Sequence, residues 1–116
     1  MSASRASSLA VVVTELIQNA VEHGFPHGSV GGSVTVELAV SPHELAVRVH
    51  DNGVGVSEDF RVEDASGLGL TIISALTKGE LGGELTIKPA STSDGGTIAQ
   101  VRVRLTADDQ SGTNAV

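Results

Sequence analysis

Two stretches of period-two alternation limit what this 116-residue chain can fold into more than any other feature. Val34, Val36, Leu38 and Val40 share one face of an extended strand, with Thr35 and Glu37 on the other. After the turn Ser41-Pro42-His43-Glu44 the pattern resumes with Leu45, Val47 and Val49 against Arg48 and His50. That reads as an antiparallel hairpin with one buried face. A second pair of strands follows near the end. Leu85 and Ile87 alternate in one, and Thr97, Ala99, Val101, Val103 and Leu105 share a face of the next, opposite Gln100, Arg102 and Arg104.

Each hairpin is preceded by a segment of helical character. Leu9, Val12, Val13, Leu16, Ile17 and Ala20 follow helical spacing up to about His23. Gly24 suits a left-handed helix end, and Ser7 or Ser8 can cap the start. Leu68 to Thr77 is apolar enough for a short helix lying on the sheet. The order helix, hairpin, helix, hairpin predicts an α+β two-layer sandwich, with a mixed, mostly antiparallel sheet and helices on one face. Residues 1–8 read as a flexible leader, 9–105 as one domain and 106–116 as a disordered tail.

Composition narrows the function. Trp and Tyr are absent and Phe25 and Phe60 are the only aromatics, so the core is built from Val, Leu, Ile and Ala. A net charge of −7 with so few stacking rings argues against a nucleic-acid reader. Without Cys there is neither a disulfide nor a thiolate metal site. No apolar run approaches the ~20 residues of a membrane span. A cytoplasmic domain making no membrane contact is the expectation.

Three segments carry chemistry. In ELIQNAVEHG, Glu15, Asn19 and His23 recur every four residues and stack on one helix face. A side-chain amide oxygen suits Mg²⁺, a nearby carboxylate can order water or accept a proton, and His23 could reach a phosphate. The plain alternative is a solvated polar face. DNGVG ends the second strand of the hairpin. Gly53 and Gly55 let backbone approach a flat ligand, and Asp51 can accept a hydrogen bond from the exocyclic amine of a base. Asn-Gly is also a strong turn signal. In SGLGL, Gly67 and Gly69 bracket a helix start, where free N–H groups can face phosphates; a glycine-containing loop is the alternative. No Walker loop, dinucleotide fingerprint, calcium loop or zinc spacing occurs.

Taken together, ELIQNAVEHG, DNGVG, SGLGLTIISAL and the GGT at 95–97 resemble the asparagine box, two glycine boxes and terminal threonine of the superfamily of DNA gyrase, a heat-shock chaperone, histidine kinases and a mismatch-repair ATPase. The likeness is greatest to the ATP-binding catalytic domain of bacterial sensor histidine kinases, of the soluble actinobacterial kind acting on antitermination regulators. It covers roughly residues 9–105 and implies a Bergerat-type ATP-binding fold. Asn19 would then ligate Mg²⁺, with Glu15 beside it as base or water-orienting group and His23 near the phosphates. Asp51 would accept from the adenine amine, with Gly53 and Gly55 shaping the pocket. Gly67, Leu68 and Gly69 would wrap the phosphates, and Thr97 would support Asp51.

The resemblance implies transfer of the γ-phosphoryl group of ATP to a histidine on a phosphoacceptor and dimerisation domain, with a response regulator further downstream. None of the His residues sits in a helix followed by the expected acid and Pro, so the acceptor lies on another domain or partner. The leader does not supply the strand that usually precedes the first helix in this superfamily. The alternatives are an anti-sigma factor of the serine-kinase type and a non-catalytic nucleotide-gated interaction module.

Overall fold

Helix and sheet share a core without a single aromatic ring. The computed structural model describes residues 1–25, 31–56, 59–60, 68–90 and 95–106. Helix α1 (Ala3–Gly24) buries Val12, Leu16 and Ala20, which lie four apart on one stripe. Strands β1 (Val34–Val40) and β2 (Glu44–Asp51) form the first hairpin, helix α2 (Leu68–Lys78) follows, and β3 (Glu84–Pro89) and β4 (Thr97–Arg104) form the second. The sheet order is β1-β2-β4-β3, with the two hairpins joined through β2 and β4. All three pairings among the described strands are antiparallel, in line with the mostly antiparallel sheet expected.

Val47 and Val49 of β2 and Ala99, Val101 and Val103 of β4 face the helices and are buried with Ile73 and Leu81. Both helices pack on this one side, giving the expected two layers. The opposite face is polar. There Arg48 donates to Gln100 Oε1 from Nε and Nη2 at 3.2 and 3.1 Å, and Arg102 pairs with Glu44 at 2.8 Å. Among the described residues no helix is long and apolar enough to cross a membrane.

Four local readings are corrected. Residues 3–8, expected in a flexible leader, form the first turns of α1. Ser2 caps the helix in place of Ser7 or Ser8, accepting from Arg5 N at 3.1 Å. Arg5 then fastens this end: Nη2 donates to Leu81 O at 3.0 Å and Arg104 O at 2.6 Å, and Nε to Glu80 O at 3.3 Å. Polar bonds to distant backbone leave no apolar period to read, which is why the sequence hid this turn.

Gly24 ends α1 but is not among the glycines with positive φ, so a left-handed cap is not its role. The apolar face of β1 is not buried either. Val36, Leu38 and Val40 are 47%, 65% and 68% exposed, because α1 lies over β2 and β1 extends beyond it. Of the expected tail 106–116, residues 107–116 lie outside the described residues.

Candidate functional site

A cavity of about 500 Å³ opens between α1, the ends of β2 and β4, and the start of α2. Its size falls within the usual range for small-ligand sites. The inner wall is apolar, made by Leu16, Val49, Leu70, Ile87 and Ala99. Polar groups are few and lie on α1 and on the two central strands: Asn19, His23, Asp51 and Thr97.

Asp51 is the last residue of β2, on the core-facing side of the strand, and only 5% exposed. Thr97 stands directly opposite it in the β2–β4 register. Among the described residues the carboxylate receives one hydrogen bond, from Gly53 N to Oδ1 at 2.9 Å. Oδ2 is left to accept from a bound molecule.

Glycines make room for this arrangement. A Cβ on Gly24 would lie 3.0 Å from Asp51 Oδ1. One on Gly53 would lie 2.1 Å from Gly24 O, the carbonyl that accepts from Val54 N at 3.0 Å. One on Gly96, whose φ is +93°, would lie 1.8 Å from Asp51 O. The chain crossing at Asp51 therefore requires Gly53 and Gly96, and a side chain at Gly24 would crowd the carboxylate.

Asn19 is half-buried on α1, and its Nδ2 is buried with no hydrogen-bond partner among the described residues. A buried, unpaired amide that borders a cavity calls for a ligand group to complete it. His23, one turn on, is exposed at the rim. Glu15, one turn before, is half-buried and is not among the residues lining the cavity. Gly55 lines it with φ +78°. Gly53 does not line it and acts through its N–H on Asp51.

Asn52 faces away from the cavity. Its side chain accepts from Ser33 N at 2.8 Å and donates to Gly31 O at 3.2 Å, which ties the loop before β1 to the end of β2. Leu68 and Gly69 begin α2, whose third residue, Leu70, borders the cavity; Gly67 lies outside the described residues.

Sequence reasoning missed Gly24, Gly96, Val56 and Phe60 as site residues. The Gly95-Gly96 doublet before Thr97 was a usable signal for a close backbone crossing. Phe60, sitting in a polar stretch, offered only its being one of two aromatics.

Comparison with known proteins sets the class of this two-layer sandwich as a histidine-kinase-type ATPase domain. The chain belongs to the family of histidine kinase-, DNA gyrase B- and HSP90-like ATPases, whose model matches residues 4–107. It is 41% identical over 90 residues to the sensor histidine kinase PdtaS of Mycobacterium tuberculosis, covering 78% of this chain and 18% of that protein. With PdtaS of Mycolicibacterium smegmatis it shares 40% over 103 residues, 89% of this chain and 20% of that one. Among solved structures, the histidine kinase domain of the blue-light-activated kinase EL346 from Erythrobacter litoralis matches with a TM-score of 0.75. That match has 30% identity and covers 92% of this chain and 48% of that one. The chain thus spans about a fifth of the length of these two PdtaS kinases.

Proposed function

We propose that the cavity binds ATP with Mg²⁺ and presents its γ-phosphoryl group to a histidine on a separate phosphoacceptor domain. The observation that carries this reading is the Asp51 carboxylate: buried, held by one backbone N–H, and free at Oδ2 on the floor of a cavity of nucleotide size. An acceptor at that depth selects a donor such as the adenine amine and disfavours a ring that presents a carbonyl there.

The apolar wall would take the faces of the base, and Thr97 lies next to Asp51 to complete the polar edge. Toward the mouth, Asn19 offers an amide oxygen, a hard neutral ligand that Mg²⁺ accepts. Among the described residues no group of three or more His, Asp or Glu side chains could hold a metal. Remaining ligands would therefore come from phosphates and water, as is common for this ion. The unpaired Asn19 Nδ2 is a donor and would meet a phosphate or water oxygen beside the ion. Bound Mg²⁺ would supply charge neutralisation at the phosphates.

Gly67, Leu68 and Gly69 would offer backbone N–H groups at the start of α2, where the helix dipole favours phosphate. His23 at the rim would approach the outer phosphates, and Glu15 would order water or accept a proton one helix turn away from Asn19. Phosphoryl transfer needs little covalent help from the protein, so positioning is the chain's main contribution. A response regulator would receive the group afterwards, and the domain would work in the cytoplasm without touching a membrane or nucleic acid.

Calorimetric titration of ATP with Mg²⁺, followed by incubation of radiolabelled ATP with candidate phosphoacceptor domains, tests the reading. The expected product is an acid-labile, alkali-stable phosphohistidine on the acceptor. An acid-stable phosphoserine would assign the chain to the anti-sigma type of kinase. ATP binding with no transfer to any acceptor would leave a nucleotide-gated interaction module.

A further inference from the structure

Asn52 is the neighbour of the buried carboxylate, yet its side chain lies outside the cavity and bonds the loop before β1. In the β1–β2 register Val34 pairs with Asp51, so the residue facing Asn52 is Ser33. In an antiparallel ladder facing residues alternate between pairs that exchange two backbone hydrogen bonds and pairs that exchange none. Asn52 N donates to Ser33 O at 3.3 Å, which marks a bonded pair. The reciprocal bond does not go to the backbone. Ser33 N donates instead to Asn52 Oδ1 at 2.8 Å, so a side-chain oxygen stands in for the main-chain carbonyl.

That exchange governs the path of the chain. With its place in the ladder filled by the side chain, the Asn52 carbonyl is released, and the backbone leaves the sheet directly after Asp51. It turns against the end of α1, where Val54 N donates to Gly24 O at 3.0 Å and Gly53 lies too close to the same carbonyl to carry a Cβ. The turn also brings Gly53 N to 2.9 Å from Asp51 Oδ1. On the outer side Asn52 Nδ2 donates to Gly31 O at 3.2 Å and completes the anchor. An amide supplies both the acceptor and the donor; a carboxylate would keep the bond from Ser33 N and lose only the one to Gly31.

We propose that Asn52 is a positioning residue for base recognition. By taking over its own carbonyl's bond in the ladder, it bends the chain so that Gly53 N–H holds Asp51 by Oδ1 and leaves Oδ2 to the ligand. The inference rests on the nucleotide reading above and extends it to a residue outside the cavity. Without the amide, Ser33 N is left to take the carbonyl of residue 52. The ladder then grows by one bond and draws Gly53 N–H away from Asp51. Contacts to the phosphates and to Mg²⁺ are made elsewhere and persist. What declines is the distinction between an amine and a carbonyl on the base.

The test compares ATP with inosine triphosphate, whose base carries a carbonyl where adenine carries the amine and whose ribose and phosphates are the same. Calorimetric titration of both into the wild type, Asn52→Ala and Asn52→Asp gives a ratio of affinities in which phosphate and metal contacts cancel. In Asn52→Ala the preference for ATP should narrow roughly tenfold. Asn52→Asp keeps the acceptor and should keep the preference. Hydrogen exchange of the Gly53 amide in nucleotide-free protein follows the positioning by itself, with protection lost in Asn52→Ala and held in Asn52→Asp.

An undiminished preference in Asn52→Ala, an equal loss of affinity for both nucleotides, or as large a change in Asn52→Asp as in Asn52→Ala would each overturn the proposal. A wild type that does not distinguish the two nucleotides would refute the base reading instead. Unchanged Gly53 exchange in Asn52→Ala would refute the positioning whatever the nucleotide result.

Discussion

Gly24, at the end of the first helix, presses against Asp51, at the end of the second strand, closely enough that a Cβ on Gly24 would lie 3.0 Å from Oδ1. One missing methyl group thus sets the position of the carboxylate. Gly24→Ala should leave the helix intact, since alanine favours it, yet push the carboxylate aside. ATP affinity should fall roughly tenfold, about 1.4 kcal/mol. Calorimetry on a variant of unchanged melting temperature would show it; unaltered affinity would place base recognition elsewhere.

Asp51→Asn keeps the shape and replaces an acceptor oxygen or its neighbour with a donor. A hydrogen bond to a charged group is worth about 1.5–3 kcal/mol, so ATP binding should weaken at least roughly tenfold. Preference for ATP over GTP should narrow at the same time. Competition titrations with both nucleotides measure the two effects together.

Asn19→Asp and Asn19→Ala separate metal from base. Both should retain the fold, because the amide nitrogen has no partner to lose among the described residues. The expected change is in the part of ATP affinity that disappears when Mg²⁺ is chelated. Wild-type turnover in both variants would remove Asn19 from the site.

At Gly96 the consequence is structural. With φ at +93° and a Cβ that would meet Asp51 O at 1.8 Å, Gly96→Ala must displace the β2–β4 crossing. Strain at such a backbone position costs about 1–3 kcal/mol before the collision is counted. Denaturant unfolding should register the loss even without nucleotide.

Arg5→Ala tests the far end of the domain. It removes three contacts to the carbonyls of Glu80, Leu81 and Arg104. A loss of about 2 kcal/mol is expected from bonds of this kind at a partly exposed site. Nucleotide affinity should stay unchanged, since none of these groups lines the cavity.

Apolar periodicity made the framework readable: Val12, Leu16 and Ala20 on α1 and the alternation of β2 and β4 are where the sequence places them. The same cue misled at β1, because alternation reports an apolar face and not whether a helix covers it. Arg5 was invisible for the opposite reason, since an arginine bonding distant carbonyls leaves no local pattern. Asn19, Asp51 and Thr97 were legible as chemistry because each carries a distinct functional group at a marked position, Asn19 within a helix that an asparagine does not favour and the other two at strand ends. The contact between Gly24 and Asp51 joins residues 27 positions apart and requires a known chain crossing.

The hydrogen bond from Val54 N to Gly24 O, with the glycine packing around it, welds the end of α1 to the end of β2. The side of the cavity that bears Asn19, Asp51 and Thr97 is thus tied together through backbone contacts, whereas the side where α2 begins and Phe60 sits is not joined to it by that hydrogen bond.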